Sequence, residues 1–237
     1  AVGVGGAFLG TQMFYKISKK YSRLAALSLT FFVGALGSVV LFYSLIIDSF
    51  ILLMIGALIL GFGQSATLQS RYAASFVASE KFKATALSLA VWFSVFGSVF
   101  GPRLVSVYSD YFDNLFNSEL IVGYIVAMVG MLFASASVLT FTSSTSSLRE
   151  PAEVEEVAEK VNESKKDGNI LTLLLVLNHF TMVVIMSATP LHVQDIGETV
   201  ELVGVIISYH TLGMFLLSPI LGNYVDKYGY KNFTYVG

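Results

Sequence analysis

Residues 16–48 read KISKKYSRLAALSLTFFVGALGSVVLFYSLIID, and this stretch decides the fold of the chain. An uninterrupted apolar run, 24–47, stands between the basic segment 16–23 and the acidic residue Asp48. About 20 apolar residues in a helix cover the hydrocarbon core of a bilayer, and backbone groups in lipid must hydrogen-bond within their own segment. The stretch therefore predicts a membrane-spanning helix with a basic end and an acidic end.

The rest of the chain repeats this design. Five further apolar runs of spanning length lie at 51–70, 84–108, 120–142, 169–193 and 202–221. They lack the alternation of apolar and polar residues that a membrane β-barrel requires. Hydrophobic residues make up 55% of the chain and charged residues 13%, against roughly 25% charged in a soluble domain. The sequence predicts an all-α membrane protein.

The cations give this protein an orientation. Every second connecting segment is basic, and the segments between them contain acids but no Lys or Arg. The basic segments are 16–23, 77–83, 143–168 and 222–232. Lys and Arg near helix ends mark the cytoplasmic side, so these four segments are predicted to be cytoplasmic in a multi-pass integral membrane protein. Net charge, here −2, carries no such information.

The sharpest local motif is GNYVDKYGYK at 222–231. Gly222 permits close approach of two helices, and Gly229 permits a tight turn. Asp226 suits the N-terminus of another helix, where a carboxylate is favoured. Lys227 and Lys231 anchor the segment at the lipid surface. The motif predicts a helix-to-helix contact at the cytoplasmic border.

This motif resembles the Gly-x-x-x-Asp-Arg/Lys-x-Gly-x-Arg/Lys signature of the major facilitator superfamily, at the place of that family's second copy, between helices eight and nine. The runs 68–74, 91–102, 189–192 and 208–219 are similar to a bacterial branch of the same superfamily. The resemblance implies helices two to eight and the first residues of helix nine. Because the chain begins inside one apolar stretch and stops soon after another starts, we expect a longer protein truncated at both ends.

The resemblance also implies two pseudo-symmetric halves. The predicted parts are an N-terminal bundle without its first helix (1–142), a cytoplasmic linker (143–168) and the start of a C-terminal bundle (169–237). A weak internal repeat, in which 10–23 aligns with 217–230, supports this division. Such halves are typical of secondary transporters.

The first copy of the loop departs from the pattern. Tyr15, Lys19 and Ser22 stand where Gly, Asp and Gly are expected. A gating contact is therefore expected from the second copy, with Asp226 approaching the start of the helix near Ala84.

A second motif is Gly97-x-x-x-Gly101-Pro102. With Ala90 and Ser94 it forms a stripe of small residues, which favours close helix packing, and Pro102 can bend the helix. It resembles the Gly-Pro motif on helix five of drug–proton antiporters. A pure packing role is the alternative.

Polar residues within or beside the apolar runs are candidates for the substrate or proton pathway, because such groups are costly in lipid. They are Gln64, Arg71, Arg103, Asn178, His179 and His210. The two arginines can instead extend to the membrane surface. A buried histidine can exchange a proton, or serve as a neutral hydrogen-bonding core residue.

No nucleophile–base pair, metal-ligand spacing or phosphate-binding glycine loop is visible, and Gly61-x-Gly63 lies inside an apolar run as packing. We expect no enzyme, cofactor, metal or nucleic-acid partner. The resemblance implies a secondary transporter of a small solute in a bacterial inner membrane, working by alternating access with protons as the coupling ion. Gly97-x-x-x-Gly101-Pro102 favours export of an amphipathic compound. The alternatives are uptake of an anionic metabolite, suggested by Arg71 and Arg103, and a non-transporting membrane sensor or scaffold.

Overall fold

The computed structural model describes residues 2–116, 121–144 and 165–229. In these ranges the α-helices are α1 (Val2–Lys20), α2 (Arg23–Ile46), α3 (Phe50–Val77), α4 (Lys83–Phe116), α5 (Ile121–Ser144), α6 (Lys165–Asp195), α7 (Val200–Phe215) and α8 (Ser218–Tyr228). A 3₁₀ turn, Glu80–Phe82, leads into α4. Most of the predicted linker, and Lys231 of the signature motif, lie outside the described residues.

The six predicted spans are confirmed. By length and composition, six helical segments of the described chain can cross a membrane. They are Arg23–Ile46, Phe50–Ser75, Lys83–Val105, Ile121–Thr140, Thr172–Val193 and Leu202–Tyr228. The protein is an all-α membrane protein.

The last span contains a break that the sequence did not predict. The apolar run 202–221 is divided between α7, which ends at Phe215, and α8, which begins at Ser218. Pro219, in the first turn of α8, has no N–H to donate to the Phe215 carbonyl four residues earlier. The Ser218 hydroxyl, 2.7 Å from that carbonyl oxygen, donates to it instead. The segment predicted as a loop, 222–232, is helical as far as Tyr228.

Two other helices run beyond their apolar cores. The apolar run 51–70 indicated that Arg71 lies at the end of its helix. Helix α3 instead continues to Val77, so Arg71 lies inside the helix. Helix α4 continues through Pro102 to Phe116. A helix can extend past the hydrocarbon core because its own hydrogen bonds also form in water, which apolar length alone does not show.

The chain divides into two compact units, 1–146 together with 208–237, and 147–207. In the first unit, glycines bring α1, α2 and α3 into backbone contact. A Cβ on Gly10 would meet the Phe62 carbonyl oxygen, and one on Gly37 would lie within 3 Å of Leu60 backbone atoms. Gly63 lies against Gly34, as expected of a packing residue. Close backbone approach at small residues drives helix association in lipid.

The buried core of this unit lies between α1, α2, α3 and α5. It centres on Phe14, Leu27, Phe31 and Ala66. Two buried serines join α2 to α5 nearby: Ser28 Oγ and Ser135 Oγ lie 3.0 Å apart, and each lies within 3.1 Å of the other residue's carbonyl oxygen.

The second unit contains α6 and the first residues of α7. A short turn joins them, in which the Glu198 N–H donates to the Val193 carbonyl and Gly197 has a φ of 81°. Such a positive φ favours glycine.

Candidate functional site

The Asp226 carboxylate lies on the first turn of α4. The Ala84 N–H donates to Oδ1 at 2.9 Å, and the Thr85 N–H donates to Oδ2 at 2.7 Å. The Thr85 hydroxyl also donates to Oδ2, at 2.7 Å. The first N–H groups of a helix have no partner within the helix, and they carry the positive end of its dipole. The approach of Asp226 to the helix start near Ala84, expected from the sequence, is confirmed.

Helix α4 needs this partner because it lacks a cap of its own. The residue before Lys83 is Phe82, whose side chain has no oxygen that could accept from the first turn. Helices usually begin after Ser, Thr, Asp or Asn for this reason. Asp226 supplies the missing acceptor from 142 positions along the chain.

Gly222 allows α8 to come this close. It is buried, and a Cβ at this position would lie 2.8 Å from the Ala84 carbonyl oxygen and even nearer the Ser88 hydroxyl. The Ser218 hydroxyl lies 3.1 Å from the Ser88 carbonyl oxygen and can donate to it. Ser218, Gly222 and Asp226 are spaced four residues apart and therefore share one face of α8. We call these three residues and their α4 partners the α4–α8 contact.

Helix α4 also contacts the last span on the other side of its break, in α7. The Ser208 hydroxyl of α7 donates to the Ser98 carbonyl oxygen of α4. Ser98 lies ten residues beyond Ser88, about 15 Å further along α4 at 1.5 Å per residue. A line of hydrogen bonds thus extends from the first turn of α4 toward its middle.

The end of the motif closes α8. Gly229 has a φ of 83°, which favours glycine, and its N–H donates to the Val225 carbonyl at 2.8 Å. The Lys227 ammonium lies 5.3 Å from the centroid of the Tyr228 ring. Gly229 therefore ends α8 with the positive φ that a glycine allows, and the residues after it lie outside the described part of the chain.

The first copy of the motif has a different structure. Tyr21 and Ser22 alone connect α1 to α2, and Ser22 caps α2 by accepting from the Ala25 N–H at 3.0 Å. Lys19, at the position equivalent to Asp226, lies with its ammonium 4.8 Å from the Tyr15 ring centroid. This copy has no carboxylate to offer another helix.

Of the predicted pathway residues, Arg71 has a defined neighbour. It is half-buried on α3, and its guanidinium lies 5.8 Å from the centroid of the Phe215 ring of α7. Gln64, Arg103 and His210 are exposed on the first unit, and Asn178 and His179 are exposed on α6. In the described part of the chain, no hydrogen bond or ion pair joins two of these six residues to each other.

The small-residue stripe on α4 has open space beside it. A Cβ on Gly97 or on Gly101 would meet no atom within 4 Å among the described residues. A different face of the helix carries the buried Val91 and Val95. The packing and export roles considered for Gly97, Gly101 and Pro102 both stay predictions.

Sequence reasoning missed Thr85, Ser88, Phe215 and Ser218. The signal for Ser218 was present in Ser218-Pro219, since a serine before proline suits a helix start. No local pattern marks Ser88 or Phe215, because their importance comes from a helix distant in sequence.

Residues 1–237 match the family model described as Major Facilitator Superfamily. The chain belongs to the major facilitator superfamily. The match covers the α4–α8 contact and the residues that resembled the superfamily's loop signature.

Three curated relatives show the extent of the similarity. The chain is 32% identical over 224 residues to the uncharacterized MFS-type transporter YdeG of Bacillus subtilis, covering 90% of the chain and 52% of the relative. It is 30% identical over 223 residues to the uncharacterized MFS-type transporter YddS of the same organism, covering 90% and 51%. It is 23% identical over 239 residues to the riboflavin transporter RfnT of Brucella anthropi, covering 98% and 58%. The chain spans about half the length of the curated relatives it matches, and no solved structure gives a significant match.

Proposed function

We propose that the protein is a secondary active transporter that moves a small solute by alternating access, and that the α4–α8 contact is its cytoplasmic gate. The observation that best supports this gate is that the Asp226 carboxylate accepts three hydrogen bonds from Ala84 and Thr85, two consecutive residues of α4. By the predicted division, α4 belongs to the N-terminal bundle and α8 to the C-terminal one. A contact between bundles on the basic border would hold that side closed while the other side is open.

The strength of this contact suits a gate that opens in every cycle. A hydrogen bond to a charged group contributes about 1.5–3 kcal/mol, and the helix dipole adds up to about 2 kcal/mol in partly buried geometries. Asp226 is only half-buried, so solvent screening places the sum near the lower end. A few kcal/mol shifts a two-state equilibrium by about ten- to a thousandfold, and a bound substrate can reverse such a shift.

For the finer function, we propose proton-coupled export of an amphipathic compound. The Gly97-x-x-x-Gly101-Pro102 motif supports export, since it resembles the helix-five motif of drug–proton antiporters. His179 and His210 are the candidate proton carriers, and Gln64 and Asn178 are candidate polar residues of the pathway. One relative carries the name riboflavin transporter, so riboflavin belongs among the solutes to be tested.

A second candidate is uptake of an anionic metabolite, and one contact favours it. The Arg71 guanidinium lies inside α3, half-buried, with the aromatic face of Phe215 beside it. A guanidinium in low-dielectric surroundings attracts carboxylate and phosphate groups, which it can bind through two parallel hydrogen bonds. Arg103, which is exposed, is the weaker candidate for such a site.

A flux assay in proteoliposomes tests these proposals. Fluorescent amphipathic dyes, riboflavin and labelled organic anions are loaded on one side, and a pH gradient is imposed in either direction. Export coupled to protons requires that an inward proton gradient drive the dye outward. It also requires that a protonophore abolish this movement. Anion accumulation that disappears in Arg71→Gln would favour the second candidate. Flux of no solute under any gradient would contradict transport and support a non-transporting sensor or scaffold.

A further inference from the structure

The break in the last span interrupts its backbone hydrogen bonds. The hydrogen bonds of α7 end where the Leu216 N–H donates to the Leu212 carbonyl at 2.9 Å. Those of α8 begin at the Leu217 carbonyl, which accepts from Ile220 and Leu221, each at 3.1 Å. In the described part of the chain, no backbone hydrogen bond joins α8 to α7. Leu216 and Leu217 are therefore the place where α8 can turn relative to α7 at least cost.

The two sides of the break are attached to α4 separately. On one side, the Ser208 hydroxyl of α7 donates to the Ser98 carbonyl oxygen. On the other side, α8 is held by the α4–α8 contact, which includes the Asp226 carboxylate. Because the two attachments are independent, α8 can leave α4 while α7 stays on it.

The Ser218 hydroxyl, next to the break, has two acceptors. It lies 2.7 Å from the Phe215 carbonyl oxygen of α7 and 3.1 Å from the Ser88 carbonyl oxygen of α4. A serine hydroxyl has one hydrogen, so these two carbonyls compete for it. The Phe215 carbonyl needs it because Pro219 has no N–H, whereas the Ser88 carbonyl lies within α4 and has the Trp92 N–H as its helical donor. If α8 leaves α4, the hydroxyl donates to Phe215 and neither carbonyl is left unpaired.

The depth of Ser218 in the membrane makes this second acceptor important. Ser218 precedes Asp226 by eight residues, so it lies about 12 Å deeper along α8 from the predicted cytoplasmic border. At the border, water can replace Asp226 at the free N–H groups of α4. In the hydrocarbon core no water is available, and an unpaired polar group is costly there. A contact that opens in every cycle needs a replacement partner at this depth, and the Phe215 carbonyl is one.

We propose that Leu216 and Leu217 are the hinge on which α8 swings away from α4, and that Ser218 is the hydrogen-bond switch of this hinge. With α8 on α4, the Ser218 hydroxyl is shared between the Phe215 and Ser88 carbonyls. With α8 away from α4, it donates to Phe215 alone. This inference rests on the proposed gate, and it adds that α8 moves without α7.

Distances between spin labels in nanodiscs test the hinge. The chain contains no cysteine, so labels can be attached to introduced cysteine pairs. The reference label is at Leu29 of α2, and the second is at Tyr209 of α7 or at Tyr228 of α8, all exposed. Asp226→Asn should shift the distance from Leu29 to Tyr228 by up to about 5 Å, as expected for a swing of about 20° by the 11-residue α8. The distance from Leu29 to Tyr209 should stay unchanged.

The two distances separate failure of the hinge from failure of the gate. Equal shifts at Tyr209 and Tyr228 would show that α7 and α8 move as one body, which overturns the hinge and leaves the gate intact. No shift at either position would contradict the gate and the hinge together. In Pro219→Ala, which allows continuous backbone hydrogen bonds, the two labels should move together when Asp226→Asn is added.

Unfolding temperatures in detergent micelles test the switch. Ser218→Ala removes the hydroxyl that donates to the Phe215 carbonyl and should lower the unfolding temperature by about 3 °C. Pro219→Ala supplies a backbone N–H to that carbonyl, so Ser218→Ala should have a smaller effect in this background. The matched control is Ser94→Ala, which removes a hydroxyl that donates to the Val91 carbonyl, also three residues back. That carbonyl keeps its helical donor, so the unfolding temperature should change little.

The comparison of backgrounds decides the role of Ser218. An equal effect of Ser218→Ala with proline and with alanine at position 219 would show that the hydroxyl does not replace the missing N–H. That result would overturn the switch.

Discussion

At the scale of single residues, Asp226 provides a helix cap that the chain next to α4 lacks. Phe82 cannot accept a hydrogen bond, and the free N–H groups of Ala84 and Thr85 are satisfied by a carboxylate from α8. A capping residue that directly precedes its helix stays in place, because the chain links the two. A cap supplied by another helix is lost when that helix moves away, so the hydrogen bonds at the start of α4 depend on the position of α8.

Replacing this carboxylate by an amide is the sharpest test of the gate. Asp226→Asn keeps the size of the side chain but removes the charge and one acceptor oxygen, at a cost of about 1.5 kcal/mol or more. The closed state should lose about tenfold in population, and transport in proteoliposomes should slow by a similar factor. Insertion and abundance should stay at wild-type levels.

The matched control is Asp195→Asn, which makes the same chemical change at the exposed end of α6. Its transport rate should equal that of the wild type. Unchanged transport in Asp226→Asn, with normal insertion, would show that the contact has no part in gating.

At the scale of helices, contact distance decides which glycines matter. The Gly222 position has no room for a Cβ, since the Ala84 carbonyl and the Ser88 side chain occupy the space. Gly97 belongs to the motif that the sequence made prominent, and its Cβ position is empty of described neighbours. Both glycines lie inside helices, so helix propensity alone predicts the same effect of an alanine substitution at both positions.

Alanine at these two positions should therefore have opposite effects on stability. Gly222→Ala should lower the free energy of unfolding by about 1–3 kcal/mol through overpacking, as α8 is pushed from α4. Gly97→Ala should raise it by up to about 1 kcal/mol, since alanine is the better helix former. Thermal or denaturant unfolding in detergent micelles measures both. Destabilisation by Gly97→Ala would instead reveal a packing partner for the stripe.

The serine pair between α2 and α5 makes a third, independent test. Ser28 and Ser135 exchange hydrogen bonds in a buried position. Interhelical hydrogen bonds in membrane proteins contribute about 0.6 kcal/mol on average, with a maximum of about 1.7 kcal/mol. A double-mutant cycle with Ser28→Ala and Ser135→Ala should give a coupling energy in this range. A coupling of zero would mean that the backbone carbonyls, and not the paired hydroxyls, hold these helices.

At the scale of the whole molecule, the cations predict the sidedness of the protein. Single cysteines at Lys20, Lys81 and Lys227 should react with a membrane-impermeant reagent only from the cytoplasmic side, and cysteines at Asp48 and Glu198 only from outside. The chain contains no cysteine of its own, so no background labelling arises. Lys20 and Lys81 labelled from opposite faces of intact cells would contradict the topology and the transport proposal together.

The sequence by itself determined the number of spans and the superfamily, and it predicts the sidedness of the spans. These properties depend on the length of each apolar run and on the Lys and Arg residues beside it. Both are local features of the sequence, and both act directly on insertion into the bilayer. Local reasoning also located Gly229 and Asp226, because a positive φ and a helix N-terminus demand particular residue types.

Only the tertiary structure decided which residues meet. The break before Ser218, the role of Ser88 and the neighbour of Arg71 all depend on contacts between distant helices, such as Ala84 with Asp226, 142 positions away. In a membrane, apolar surface does not choose partners, because lipid is as apolar as a leucine side chain. Partner choice falls to small residues and single hydrogen bonds, whose importance appears only once the helices are packed.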